Sequence, residues 1–215
     1  MKQDGKSQLW IPVYLMNNTD YQAIVIGTSA GGTDALAEII PKLPDNFSLP
    51  IIIVQHRHRN TDEFGTYYFD ENSALKVKEA DEKEPIVREY VYMAPANYHL
   101  LVEEDRTFSL SVDERVNYSR PSIDVLFESA AEVYKSKLIG IILTGANRDG
   151  AEGLKRIKQC SGLAIVQDPE GAESDAMPRA ALAACEVDYV LSLEEIAKFL
   201  REISKNKLSP HFFKR

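Results

Sequence analysis

QAIVIGTSAGG, residues 22 to 32, is the stretch that decides the fold. It opens with a short, mostly apolar run typical of a buried strand, and its glycines predict a tight turn into a helix. We predict that helix over Thr33–Pro41 and a second buried strand over Leu49–Gln55 (LPIIIVQ). Both strands are continuous apolar runs rather than alternating ones, which is typical of a parallel sheet covered on both faces.

The same strand–helix rhythm returns in the second half of the chain. Two more strands are predicted over Lys137–Thr144 and Leu163–Gln167, and helices over Ser122–Tyr134, Asp149–Gln159, Met177–Ala184 and Leu193–Ile203. Three closely spaced strands lie between the halves and indicate inserted antiparallel hairpins: Glu89–Ala94, His99–Val102 and Thr107–Val112. The prediction is an α/β fold, a doubly wound, mostly parallel sheet (Rossmann-like) with an inserted antiparallel β-hairpin.

Length and composition indicate one globular domain. The chain has 215 residues, of which 44% are hydrophobic and 27% charged, and both values are ordinary for a globular protein. We expect the domain over 21–203, with an N-terminal extension over 1–20 and a C-terminal tail over 204–215. Cys160 and Cys185 are too few for a disulfide framework and lack metal-site spacing, so we expect reduced thiols.

Charge and hydropathy argue against two kinds of partner. The net charge is −8, from 25 basic and 33 acidic residues, and an acidic chain repels the phosphates of nucleic acid. No apolar run approaches the ~18 residues that a membrane span needs. The run Leu9–Met16 contains Pro12 and follows Asp4, a pattern that argues against a signal peptide. We therefore expect a cytoplasmic protein with no nucleic-acid partner and no direct membrane insertion.

Three side chains with catalytic potential follow three of the predicted strands. Ser29 lies in the turn after the first strand, His56 directly follows the second, and Asp149 comes soon after Lys137–Thr144. Ligands of open α/β sheets bind beyond the carboxyl ends of the strands, so we expect these side chains at one edge. Serine, histidine and aspartate are the set used in acyl transfer: serine attacks, histidine takes its proton and aspartate orients the imidazole.

Each of these residues also has a simpler interpretation. The turn over 27–32 fits G-x-S-x-G, which exposes a serine nucleophile, but a glycine-rich turn before a helix also cradles phosphate. A dinucleotide site is disfavoured because the second strand ends in Gln55-His56, without the acidic ribose ligand. His56 alone is consistent with a surface histidine, and Asp149 with the N-cap of the helix that begins beside it. The order Ser…His…Asp also differs from that of the α/β-hydrolases.

Seven motifs, in order along the chain, carry a family resemblance: IGTSAGG (26–32), VQH (54–56), YMAPANYHL (92–100), RPSIDVLFESAA (120–131), IILTGANRDGAEGL (141–154), AIVQD (164–168) and AMPRAAL (176–182). With them the chain resembles the catalytic domain of the chemotaxis protein-glutamate methylesterases, the CheB family. The resemblance runs from about Gln22 to Leu200, which is most of the chain.

The resemblance implies hydrolysis of glutamyl γ-methyl esters on the cytoplasmic domain of methyl-accepting chemotaxis receptors, with deamidation of glutamines in some members. It implies a triad of Ser29, His56 and Asp149 that needs no metal and no organic cofactor. We expect main-chain N–H groups near Ala30 and Ala146 to stabilise the oxyanion. Further partners would be a methyltransferase or a separate response regulator. Two alternatives stay open: a non-catalytic nucleotide- or phosphoryl-binding module, and a catalytically weakened receptor-binding scaffold.

The chain also departs from the family pattern. Members usually carry a receiver domain, which the first twenty residues cannot hold, so we expect a free-standing esterase or one controlled by a partner. After His56 the family's Met-Pro and following loop are replaced, and Arg57 and Arg59 there join Arg120 as candidates for a basic rim that meets substrate carboxylates. Two alanines also replace usual family residues, Ala146 for methionine and Ala30 for threonine; both are tolerable if only main-chain groups form the oxyanion hole.

Overall fold

The computed structural model describes residues 20–56 and 64–207, and all structural statements below concern these residues. Their strands are β1 (Ala23–Thr28), β2 (Ile51–Gln55), β3 (Lys76–Glu79), β4 (Tyr90–Met93), β5 (His99–Val102), β6 (Phe108–Ser111), β7 (Leu138–Ile142), β8 (Leu163–Gln167) and β9 (Tyr189–Leu191). Their α-helices are α1 (Gly32–Ile39), α2 (Phe64–Asn72), α3 (Ile123–Tyr134), α4 (Ala151–Gln159), α5 (Ala176–Ala184) and α6 (Leu193–Lys207).

Seven of these strands form one sheet in the order β3-β4-β2-β1-β7-β8-β9, and every pair in it is parallel. This confirms the predicted doubly wound α/β architecture. The chain runs from β1 through β2 toward one edge and later returns to β7 on the other side of β1. The strand order therefore reverses at β1, and such a switch point opens a crevice at the carboxyl ends of the strands.

The sheet is covered on both faces, as its apolar strands predict. All six residues of β1 are buried, and their side chains alternate between two cores. Ile24 and Ile26 belong to the core beneath α1 and α6, whereas Ala23 and Val25 belong to the core beneath α3 and α4. The second core also takes in the apolar side of the β5–β6 hairpin, including Phe108.

The prediction for the middle of the chain is partly wrong. Glu89–Ala94 is not part of an antiparallel insertion, because β4 lies inside the main sheet and pairs in parallel with β2 and β3. Only β5 and β6 form the antiparallel hairpin, with His99 opposite Ser111. The short connections between these strands indicate hairpins, whereas the run YVYM, buried over its last three residues, is typical of a strand inside a parallel sheet.

Three elements were not predicted. The strands β3 and β9 lie at the two edges of the sheet, and each includes an exposed residue, so neither reads as a continuous apolar run. Helix α2 has no marked apolar stripe. The last helix continues to Lys207, beyond the boundary expected at 203. Both cysteines are free and half-buried, and none of the helices described is long and apolar enough to cross a membrane.

Two glycines allow the start of α3 to approach the strand ends closely. A Cβ atom on Gly27 would lie 2.3 Å from Cγ2 of Ile123, and one on Gly150 would lie 2.6 Å from the same atom. Gly150 also has a φ of 94°, a conformation that favours glycine. Ile123 is fully buried, so the first turn of α3 is held directly above the carboxyl ends of β1 and β7.

We expect Gly27→Ala to lower the free energy of unfolding by about 1–3 kcal/mol, because the added methyl group overpacks the Ile123 side chain. Gly171→Ala is the matched control: apart from its chain neighbours, none of the described residues has an atom within 4 Å of the Cβ it would add, and its effect should stay within about 0.5 kcal/mol. Urea denaturation of both variants makes the comparison. Equal stability of Gly27→Ala and the wild type would show that Ile123 can move aside.

Candidate active site

The turn that carries Ser29 is fastened to the end of the neighbouring strand. The carbonyl oxygen of Thr144 accepts hydrogen bonds from the Ser29 N–H, at 3.0 Å, and from the Thr28 hydroxyl, at 2.8 Å. Gly31, with a φ of 75°, then turns the chain into α1. The Ser29 side chain is half-buried, and its hydroxyl makes no hydrogen bond with the described residues. Ser29 therefore lies at the switch point, and none of the described residues forms a hydrogen bond with its hydroxyl.

His56 lies beside this turn with its ring orientation fixed. The main-chain N–H of His56 donates to the Thr28 carbonyl oxygen at 3.0 Å, and the His56 side chain is 12% exposed. Nε2 lies 2.8 Å from Oδ2 of Asp149. A carboxylate only accepts, so Nε2 carries the hydrogen and Nδ1 of the neutral ring is left as an acceptor. The side-chain amide nitrogen of Asn147 lies 3.3 Å from Nδ1.

Asp149 is fully buried and accepts hydrogen bonds from the first turn of α3. Oδ2 accepts the Ile123 N–H at 2.7 Å, and Oδ1 accepts the Ser122 hydroxyl at 2.8 Å and the Asp124 N–H at 3.2 Å. The idea that Asp149 caps the helix following it is wrong, because Gly150 holds the N-cap position of α4, and the side chain that accepts an N–H of its first turn is that of Asp124. The carboxylate instead stabilises the N-terminus of α3.

Two carboxyl groups meet at this point with opposite pKa shifts. Burial opposes ionisation of Asp149, but hydrogen bonds from His56, Asn117 and the Ile123 N–H hold its pKa below the usual value. Burial raises the pKa of Asp124 to about 6, and the neighbouring Asp149 carboxylate adds to this against a hydrogen bond from the Gly153 N–H. The Asn117 amide joins the pair, donating to Asp124 at 2.7 Å and to Asp149 at 2.9 Å.

Sequence reasoning missed three polar residues of this site. Asn117 lies in a loop with no recognisable pattern, and Asn147 and Asp124 lie inside quoted motifs in which neither was given a role. The Asn147 carboxamide also accepts the Asp149 N–H at 3.0 Å, so it contacts both partners of the His56–Asp149 pair. The available signal was position alone, because Asn147 follows the same strand as Asp149.

The structure describes three of the other predicted site residues, and they differ in what their polar groups contact. Ala30 and Ala146 are exposed, and within the described chain neither N–H has a hydrogen-bond acceptor. Arg120 lines a cavity of about 140 Å³ that also borders His56. One Arg120 nitrogen, Nη1, donates to the carbonyl oxygens of Val112 and Asp113, at 2.5 and 2.8 Å, so this group holds a loop in place. Arg57 and Arg59 lie outside the described residues.

A doubly wound parallel sheet with a serine turn and a histidine–aspartate pair at its switch point is an arrangement compatible with a hydrolase that has an α/β fold. Comparison with known proteins then identifies the family. The sequence model of the CheB methylesterase family matches residues 24–200, and the chain belongs to that family.

Relatives agree with this assignment. A Leptospira interrogans protein (strain 56601), named provisionally as a protein-glutamate methylesterase/protein-glutamine glutaminase, is 57% identical over 189 residues, which is 88% of this chain and 98% of the relative. The Thermotoga maritima protein-glutamate methylesterase/protein-glutamine glutaminase is 37% identical over 183 residues. The match covers 84% of this chain but 53% of that relative, so the chain spans about half of the Thermotoga protein's length.

A solved structure agrees as well. The crystal structure of the Thermotoga maritima CheB methylesterase catalytic domain superposes with a TM-score of 0.81 at 36% identity, covering 85% of this chain and 98% of that one. The family resemblance and the fold predicted from the motifs are thereby confirmed. The chain is a hydrolase of the protein-glutamate methylesterase type, with a methylesterase/glutaminase function in chemotaxis.

The raised pKa of Asp124 predicts a pH-dependent stability. A carboxyl group with a raised pKa in the folded state binds its proton more tightly there, so it adds stability as pH falls from about 6 toward 3.8. The stability difference between the wild type and Asp124→Asn should therefore shift in favour of the wild type, by about 2 kcal/mol between pH 7 and 4. Urea denaturation at intermediate pH values measures it. A difference that is constant across this range would contradict the assignment.

Proposed function

We propose that Ser29, His56 and Asp149 form a triad that hydrolyses glutamyl γ-methyl esters on the cytoplasmic domain of methyl-accepting chemotaxis receptors, releasing methanol. The observation that carries this proposal is the 2.8 Å contact between Nε2 of His56 and the buried carboxylate of Asp149. This contact sets the tautomer of the ring and leaves Nδ1 as the base at the end of the strand beside Ser29.

The first step is attack by Ser29. Its Oγ forms a bond to the γ-carbonyl carbon of the ester while its proton passes to Nδ1 of His56. The Asn147 amide has to yield Nδ1 for this transfer, and their long contact of 3.3 Å makes that exchange inexpensive. The tetrahedral oxyanion is stabilised by the free N–H groups of Ala30 and Ala146, each typically worth ~3 kcal/mol.

The second step releases methanol and then the acid. The bond from the carbonyl carbon to the methoxy oxygen breaks, and the proton on Nδ1 passes to that oxygen. Water then attacks the acyl-enzyme with His56 again as the base, which returns Ser29 and leaves a glutamate carboxylate. Asp149 stays ionised throughout, as its lowered pKa allows, and stabilises the imidazolium. Deamidation of glutamine follows the same route more slowly, because the nitrogen is the poorer leaving group.

The reaction also defines the setting of the enzyme. Its substrate exists only where a methyltransferase has esterified glutamates on the same receptor, so we propose that such an enzyme acts on the same sites. The receptor domain concerned is cytoplasmic, and we propose the same location for this chain. We further propose 21–203 as the catalytic domain, with a separate response regulator as a candidate partner in its control.

Methanol release from methylated receptor membranes tests the triad. We expect Ser29→Ala and His56→Ala to lower kcat by a factor of at least about 10³, because each removes a group that bonds to, or takes a proton in, the transition state. The matched control is Ser136→Ala, which removes an exposed hydroxyl just beyond the C-terminal end of α3 and should retain wild-type turnover. Circular dichroism checks that all three variants fold.

Two results would overturn parts of the proposal. Full turnover by Ser29→Ala would mean that another group is the nucleophile. If the wild type released no methanol, labelling with a serine-reactive phosphonate would distinguish the two remaining hypotheses. A labelled Ser29 would indicate an esterase with a different substrate, whereas no labelling would favour a non-catalytic or catalytically weakened binding protein.

A further inference from the structure

A cluster of apolar side chains is exposed at one end of the β5–β6 hairpin. The hairpin register places His99 opposite Ser111, so the next residues outward, Tyr98 and Val112, also lie opposite each other. The loop that follows carries two more. We call these four residues the rim patch, and their exposed fractions are 41% for Tyr98, 67% for Val112, 37% for Val116 and 96% for Tyr118.

Buried polar groups hold the rim patch in one position. His99 is 2% exposed; its Nε2 donates to the Glu114 carbonyl oxygen at 3.0 Å, and its Nδ1 accepts the Ser122 N–H at 3.2 Å. Arg120 donates to the carbonyl oxygen of Asp113 at 2.8 Å. The apolar side chains are therefore displayed on a fixed frame, which lowers the entropic cost of binding a partner.

The tip of the rim patch is also conformationally strained. The Ser119 N–H donates to the Val116 carbonyl oxygen at 2.9 Å, closing a tight turn. Its two central residues, Asn117 and Tyr118, have φ values of 50° and 63°. Asparagine adopts this left-handed region readily, but tyrosine does so at a cost. The turn is held by the Asn117 amide, which donates to Asp124 and Asp149. Tyr118 is 96% exposed, so this turn presents its side chain to solvent, where another molecule can contact it.

The rim patch borders the candidate active site. Tyr118 and Arg115 line the same cavity of about 140 Å³ as His56, and no carboxylate is among the described residues around it. The cavity therefore suits a negatively charged group. The side chain next to Tyr118 reaches the site directly, since Asn117 donates to Oδ1 of Asp149 at 2.9 Å.

We propose that the rim patch is the docking surface for the polypeptide of the protein substrate. Apolar residues flanking the ester-bearing glutamate would pack on Tyr118 and Val112, and an acidic residue of the same segment would enter the cavity beside Arg115. The inference rests on the proposed function and adds how this site selects a protein rather than a free ester. A small ester lacks the flanking residues that would pack on the rim patch, so the two kinds of substrate separate docking from chemistry.

Two variants test the docking surface. Tyr118→Asn removes the ring with a residue that tolerates the left-handed backbone, and Arg115→Gln removes the charge. On a methylated receptor cytoplasmic fragment each should raise KM about tenfold with kcat unchanged. On N-acetyl-glutamate γ-methyl ester both should match the wild type. Tyr118→Phe, which keeps the ring, should behave as the wild type on both substrates.

The matched control is Val87→Ser. Val87 is 47% exposed and borders a cavity shared with Gln22 and Pro50, next to the amino ends of β1 and β2 and so at the opposite edge of the sheet from the site. This substitution should change neither KM nor kcat on the receptor fragment. An unchanged receptor KM in Tyr118→Asn and Arg115→Gln would overturn the proposal. An equal loss on the small ester would also overturn it, since Tyr118 would then affect the chemistry itself.

A binding measurement keeps the two proposals distinguishable. Fluorescence anisotropy follows a labelled methylated receptor fragment as it binds Ser29→Ala and the double variant Ser29→Ala/Tyr118→Asn. We expect about tenfold weaker binding by the double variant, and equal Kd values would refute the docking surface. If the wild type releases no methanol at all, the proposed reaction fails, and this titration still decides whether the rim patch binds the polypeptide.

Discussion

The buried carboxylate of Asp149 is the group on which the arrangement of the site depends. It receives the His56 ring from the end of β2, the first N–H groups of α3, and the Asn117 amide from the loop below the hairpin. Three separate parts of the chain therefore converge on two oxygen atoms. An ionised carboxylate with no exposed surface is tolerable only when so many donors surround it, and removing one donor weakens the position of the others.

The packing of α3 and α4 against the strand ends allows these hydrogen bonds to form. The N-terminus of α3 reaches Asp149 because Gly27 and Gly150 leave room for Ile123 against the ends of β1 and β7. The carboxylate of Asp124, the residue after Ile123, accepts the Gly153 N–H in the first turn of α4. Each of these two helices is thus held at its N-terminus by an aspartate from the other segment, and the two carboxylates lie close enough to shift the pKa of Asp124.

Much of this molecule is readable from sequence, and the limits have physical causes. Continuous apolar runs identified β1, β2, β7 and β8, and the positions of Ser29, His56 and Asp149 after strands placed them at one edge. The parallel pairing of β4 was missed because pairing partners are set by the whole sheet and not by local spacing. The roles of Asn117 and Asn147 depend on contacts between distant segments, so no local pattern reveals them.

The proposed triad and the proposed docking surface lie on different layers of this chain. Ser29, His56 and Asp149 follow strands of the parallel sheet, whereas the rim patch belongs to the separate β5–β6 hairpin and the loop after it. Asn117 and His99 link these layers: Asn117 donates to Asp149, and His99 of the hairpin accepts the N–H of Ser122 at the start of α3. Substrate preference can accordingly diverge by exchange of the surface residues while the site stays untouched, provided the exchanged segment keeps the hydrogen bonds of Asn117 and His99 at this boundary.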